Sequence, residues 1–161
     1  MFADELREQI SQGDIFDKIP VALVKFPEAI PIVKEIKAML VTHDCEFDKD
    51  SCIYVMVTEI RPLREVNRNS QGNIRDFKTL NTFYIQACDV LEESYLDFRR
   101  TYQVQKDFLF DRKDKGFRIV SLGDETRLAL QRQLSIFFGY KREVASVDLS
   151  AAIPPPINPA E

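Results

Sequence analysis

The chain has 161 residues, enough for one domain with a real core. Hydrophobic residues at 45% and charged residues at 30% describe a soluble globular protein, and a formal charge of −4 leaves no global attraction for nucleic acid. No apolar run approaches the ~20 residues of a spanning helix, and the N-terminal "MFADELREQI" lacks the apolar stretch of a signal peptide.

Taken in chain order, Phe2, Leu6 and Ile10 recur every four residues and predict a short helix over residues 2–11. Gly13 ends it and "GDIF" opens a strand. Pro20, Pro27 and Pro31 limit "VALVKF" to a short or edge strand. From Ile32 the pattern predicts a long strand to about Phe47, a turn at "DKDS" and a returning strand from Cys52 to Ile60. "AMLV" and "IYVMV" are apolar on nearly every residue, which implies burial on both faces. A short helix over 62–68 follows, then a loop at "NSQGN". "TFYIQA" (82–87), "SYLDFRRTYQV" (94–104) and "FRIVSL" (117–122) predict three more strands. Ser121 or Asp124 can cap a final helix whose stripe Leu130, Leu134, Phe137 and Phe138 ends at Gly139. That stripe is read as core, with a dimer face as the lesser alternative. Residues 144–161 hold four prolines and predict an extended or disordered tail behind one domain, residues 1–143. A mainly β fold with flanking helices follows: a small, strongly bent SH3-like barrel with an N-terminal helix and a C-terminal packing helix.

Two groups of residues carry candidate chemistry. His43, Asp44, Cys45 and Glu46 lie at a predicted strand end, where His43 and Cys45 share one face. A thiolate–imidazolium pair is one reading. The blander and preferred one makes Cys45 a small buried residue and Asp44 the closure of an Asx-type turn. One His and three Cys without paired spacing give no metal site, and no cofactor is expected. The same unpaired thiols point to a reducing, cytoplasmic setting. Asp44, Glu46, Asp48 and Asp50 alternate like a calcium loop but lack its central glycine, so a solvated turn is the better reading.

The second group is basic. Arg61, Arg64, Arg68, Arg75 and Lys78 stand against Glu65 and Asp76, with Arg99 and Arg100 on a later strand. Were they to converge beside Tyr95 and Tyr102, an acidic protein would present a groove for nucleic acid. Otherwise they are scattered salt bridges.

"GDIF", "KAMLVTHDCEF" and "YVMVTEI" together resemble the PemK/MazF-like superfamily of SH3-like barrels over residues 12–61. The resemblance implies RNA cleavage by an Arg and a Thr or Ser: a cation stabilises charge on the phosphate and a hydroxyl positions or moves a proton. Thr58 falls on the hydroxyl position. Lys37 falls where the Arg belongs, followed by Ala38 in place of Pro, and a lysine cannot make the bidentate contact of a guanidinium. The glycine-rich loop before the Arg is replaced by "KFPEAIPIVKE". The later segment also resembles uncharacterised bacterial proteins with an "HDCD" strand end and a "DFR" strand. Two functions are therefore expected. One is a non-catalytic or degenerate barrel that binds RNA or a protein partner, antitoxin-like or a complex subunit, in a toxin–antitoxin or phage-defence system, with a homodimer as a further possibility and no membrane. The other is an endoribonuclease using Lys37 and Thr58.

Overall fold

The structure is a computed structural model and describes residues 1–139. The expected proline-rich tail lies outside the described residues. Six strands form one antiparallel sheet: β1 (Asp14–Lys25), β2 (Ile30–Leu40), β3 (Tyr54–Pro62), β4 (Thr82–Ile85), β5 (Ser94–Gln105) and β6 (Arg118–Ser121). Their order is β4-β5-β3-β2-β1-β6. Three of the five pairings join strands consecutive in sequence, and the sheet does not close.

Gly13 opens β1 with φ 91°, and a Cβ there would sit 3.1 Å from the Cβ of Leu122, so both backbone and space require glycine. Strand alternation then splits the core in two. Ile15, Met39 and Val41 point to one side, where α4 (Asp124–Phe138) covers them with Ala129, Leu130 and Leu134. Phe16, Ala38 and Leu40 point to the other, where Phe47 of α1 (Asp44–Phe47) and Leu109 of α3 (Lys106–Phe110) close over Val55, Val57 and Val104. A third, small cluster of Leu63, Ile74 and Tyr95 lies under α2 (Arg68–Arg75).

Asp14, the acid of "GDIF", is fully buried. It accepts from Arg118 Nη1 at 3.2 Å, Ser121 Oγ at 2.5 Å and Ser11 N at 3.0 Å. Arg118 also donates to the carbonyl oxygens of Gln9 and Arg7 at 3.0 and 2.6 Å. This buried pair ties the first residues to the last strand.

Several expectations are corrected. Residues 2–11 form no helix. Phe2 makes a β-bridge with Leu122, and Ala3 N donates to Ser121 O, so backbone pairing with the sheet outcompetes the four-residue apolar spacing. The strand expected to run to Phe47 ends at Leu40. His43 then caps α1, its Nδ1 accepting from Cys45 N at 3.2 Å. "NSQGN" is not a loop but lies in α2, which Asn67 caps by accepting from Asn69 N at 3.0 Å. The helix expected over 62–68 shrinks to a 3-10 turn, Leu63–Glu65. Residues 21–25 of "VALVKF" end a 12-residue strand and pair on one side only, as an edge strand does; α3 has no counterpart in the sequence pattern. "AMLV" is buried on both faces, whereas Ile53, Tyr54 and Met56 of the returning strand are exposed. The C-terminal packing helix is present and ends before Gly139. Its Leu130 and Leu134 are buried, Phe137 packs on Phe98, and Phe138 is half exposed.

Candidate interaction site

β1 and β2 are longer than the sheet they belong to. β3 pairs with β2 only at Ala38–Leu40, and β6 pairs with β1 only at Asp14–Phe16. Beyond those points the two strands pair only with each other, from Ile19↔Ile36 to Lys25↔Ile30. They form a projecting two-stranded arm with two open edges.

Both faces of the arm are apolar. Leu23, Ile30 and Ile32 continue the side of Phe16 and Leu40; Ala22, Val24, Pro31 and Val33 continue the other. Phe26 at the tip is 77% exposed, Val33 73% and Val24 54%. Isolated large apolar residues on a surface are ordinary, but this is a contiguous set on an element that is marginal in water by itself. Lys34 anchors the base, donating to Glu59 Oε1 at 2.8 Å.

The register explains the prolines. Pro20 opposes Glu35 and Pro31 opposes Val24, pairs of the same class. In an antiparallel ladder that class can be the one whose N–H groups face outward, so neither proline costs a ladder bond. Ala22 and Val24 then aim N–H and C=O at the outer edge of β1, as Val33 and Glu35 do at the outer edge of β2.

The sheet curls around the core of Phe16, Leu40 and Val57. As a result β1 and β5, separated in the ladder by β2 and β3, line one open groove of about 340 Å³. Its walls are the consecutive residues Pro20–Ala22 and Tyr102–Gln105, with Phe108 at one end. A strand shows consecutive residues to a groove along its edge, since a face offers only alternate ones. On the β5 side, Met56 spends its N–H on Thr42 Oγ1 at 2.6 Å and its C=O on Val41 N at 3.0 Å, toward β2. Met56↔Gln103 is therefore an open pair, and Gln103 and Gln105 turn their backbone groups away from β3 into the groove.

The arginines expected to hold nucleic acid are mostly engaged by acids. Arg61 pairs with Glu65, Arg64 with Glu92, Arg99 with Asp97 and Arg100 with Glu59, at 2.8, 2.6, 2.7 and 3.5 Å. Arg75 makes a bidentate pair with Glu93, both bonds 2.7 Å. Arg68 is exposed at the start of α2, and none of the ion pairs among the described residues includes it. The hydrogen bond from Arg75 holds the Glu93 carboxyl below its ordinary range against the opposing effect of burial, and Tyr84 adds a further bond. Burial, then the bond to Glu93, pushes the Tyr84 phenol up to about 12. Burial would raise Asp97, but hydrogen bonds from Arg99 and Asn81 hold it below the usual carboxylate range.

His43 and Cys45 do meet, Nδ1 to Sγ at 3.1 Å, on a helix cap rather than on a strand face. Cys45 is exposed, not buried as expected. Asp44 closes no turn of its own; it accepts from Gln12 N at 2.6 Å and Arg127 Nη1 at 2.9 Å, fixing α1 to α4 and the N-terminal segment. Among the described residues no group of three or more His, Cys, Asp or Glu could hold a metal ion. Lys37 is half-buried on β2. Thr58 opposes Met39, is fully buried, and shares its hydroxyl with Thr101 Oγ1 at 2.9 Å.

The apolar arm could have been found in the sequence. "VALVKFPEAIPIV" carries more hydrophobic side chains than a turn flanked by edge strands needs. The groove could not, because it depends on the curl of the sheet. No family model matches the chain, and no curated protein matches it. No helix of the described residues is long and apolar enough to cross a membrane.

Proposed function

We propose that this chain is a non-catalytic binding module that recognises a protein, built on a degenerate SH3-like, PemK/MazF-like barrel whose sheet stays open. The observation that carries the reading is the β1–β2 arm, with Val24, Phe26, Ile30, Ile32 and Val33 all exposed at its end. Apolar and aromatic side chains gathered on a projecting element suit a protein partner, whose association removes them from water. Nucleic acid is the weaker partner. Arg61, Arg64 and Arg99 each face a carboxylate of their own, Glu65, Glu92 and Asp97, and Arg100 shares Glu59 with Lys34, so most of the arginines expected at phosphates are already engaged by acids. The endoribonuclease alternative requires Thr58 at a phosphate, whereas its hydroxyl is buried against Thr101. The resemblance over residues 12–61 extends the reading to a regulatory part in a toxin–antitoxin or phage-defence system.

A random-peptide display selection on the wild type, counter-selected on the Phe26→Asp, Val33→Asp double variant, tests this. Peptides that bind the wild type alone are expected. Mixed-sequence single-stranded RNA at low salt should be neither cut nor shifted. Cleavage lost in Lys37→Ala would establish the ribonuclease instead, and a salt-sensitive RNA shift without peptide enrichment would make nucleic acid the partner.

A further inference from the structure

The groove between β1 and β5 specifies its occupant more narrowly than the arm does. We propose that it takes one extended strand of a partner protein, which pairs with β1 on one side and β5 on the other and so closes the sheet. This deepens the reading above and rests on it.

The argument is one of hydrogen-bond complementarity. Both walls are strand edges. Ala22 presents N–H and C=O to the groove from β1, Val24 continues the same edge just beyond it, and Pro20 presents C=O alone. Gln103 and Gln105 present theirs from β5, since Met56 commits its own backbone groups toward β2. Among the described residues no strand pairs with either edge here. Only another extended backbone supplies donors and acceptors to two edges at once; a helix satisfies its own. Nucleic acid would meet neutral glutamines and no cation among the lining residues.

Side chains set the character of that strand. Inward residues meet Val21, Val104 and the Phe108 ring, which lie in or against the core enclosed by the curl. Outward residues meet solvent. The partner segment therefore alternates apolar and polar residues and carries no proline at positions facing the edges. Its apolar side chains extend the core, and its backbone uses groups now left to water.

The test is amide hydrogen exchange read by NMR on the full chain, with and without a capped peptide of alternating valine and threonine at millimolar concentration. Exchange at Ala22, Val24, Gln103 and Gln105 is expected to slow by about tenfold or more as these amides become paired. The same peptide methylated on its backbone nitrogens should protect none of them. Gln103→Pro removes one groove-facing N–H without touching the β3 ladder, and it should lose the protection at Ala22 as well. Ala22→Pro provides the same test from the other wall, should Gln103→Pro fold poorly. Protection confined to Val33 and Glu35, on the far edge of the arm, would overturn the groove while leaving an arm that binds protein. Protection that rises with protein concentration alone, without peptide, would assign the edges to a second copy and overturn the proposal. No protection at any of these amides would also overturn it, and the display selection would still judge the broader reading.

Discussion

β1 and β2 are each two kinds of strand in one. Near the sheet, Phe16, Ala38, Met39 and Leu40 are fully buried between helices on both faces. A few residues further on, Val24, Ile32 and Val33 stand in water in the same two strands. The side chains are of the same type in both halves; only the neighbours differ. Apolar sequence thus records the need for burial. Whether the chain meets that need itself, or leaves it to another molecule, is decided by how far the curled core reaches: Ile19, Val21 and Ile36 lie past the last β3 and β6 pairs and stay buried, whereas Val24, Ile32 and Val33 lie beyond it.

The largest effect should come from the body. Asp14→Ala leaves Arg118 buried without its carboxylate, and is expected to cost about 3–5 kcal/mol in urea denaturation. Leu40→Ala, also in the body, should cost about 2–5 kcal/mol through lost packing and a cavity. A far smaller loss would mean that the second core is loosely filled.

Asp97 sharpens the contrast through pH. Its folded pKa is depressed, first against burial and chiefly by Arg99. Its stabilisation is therefore complete above the unfolded carboxylate value of ~3.9 and disappears as pH falls through the lower folded value. Asp97→Asn should flatten that acid limb in a series of urea midpoints, and an unchanged limb would assign it to other carboxylates such as Glu93.

The smallest effect belongs to the arm. Val33→Thr, seven residues from Leu40 on the same strand, should change stability by no more than about 0.5 kcal/mol, because the side chain is already in water. A cost as large as that of Leu40→Ala would show that the arm is covered in solution.

Some of this was legible in the residues. Gly13 marks the start of β1, though there is no helix before it to end, Gly139 marks the end of α4, and the stripe Leu130–Leu134 marks a packed helix. Other elements depart from the local pattern for identifiable reasons. Phe2, Leu6 and Ile10 have helical spacing, yet the segment is held as extended chain by Leu122, Ser121 and Arg118. Asn67 was a readable cap for α2, but Gly72 and the polar run around it suggested a loop. Strand alternation would put His43 and Cys45 on one face; a capping imidazole brings them together instead. The pairing of each arginine with an acid distant in sequence, as in Arg64–Glu92, lies beyond any local pattern.

Arg118 also bears on the order in which the chain assembles. Its bonds to Asp14, Gln9 and Arg7 span 104, 109 and 111 residues, so each closes a loop covering most of the described chain. Contacts of that range carry a high closure entropy and form after hairpins such as β1–β2. The guanidinium is thus a late fastening, made once both ends of the sheet exist. Its kinetic signature belongs on the unfolding limb of a chevron plot more than on the folding limb.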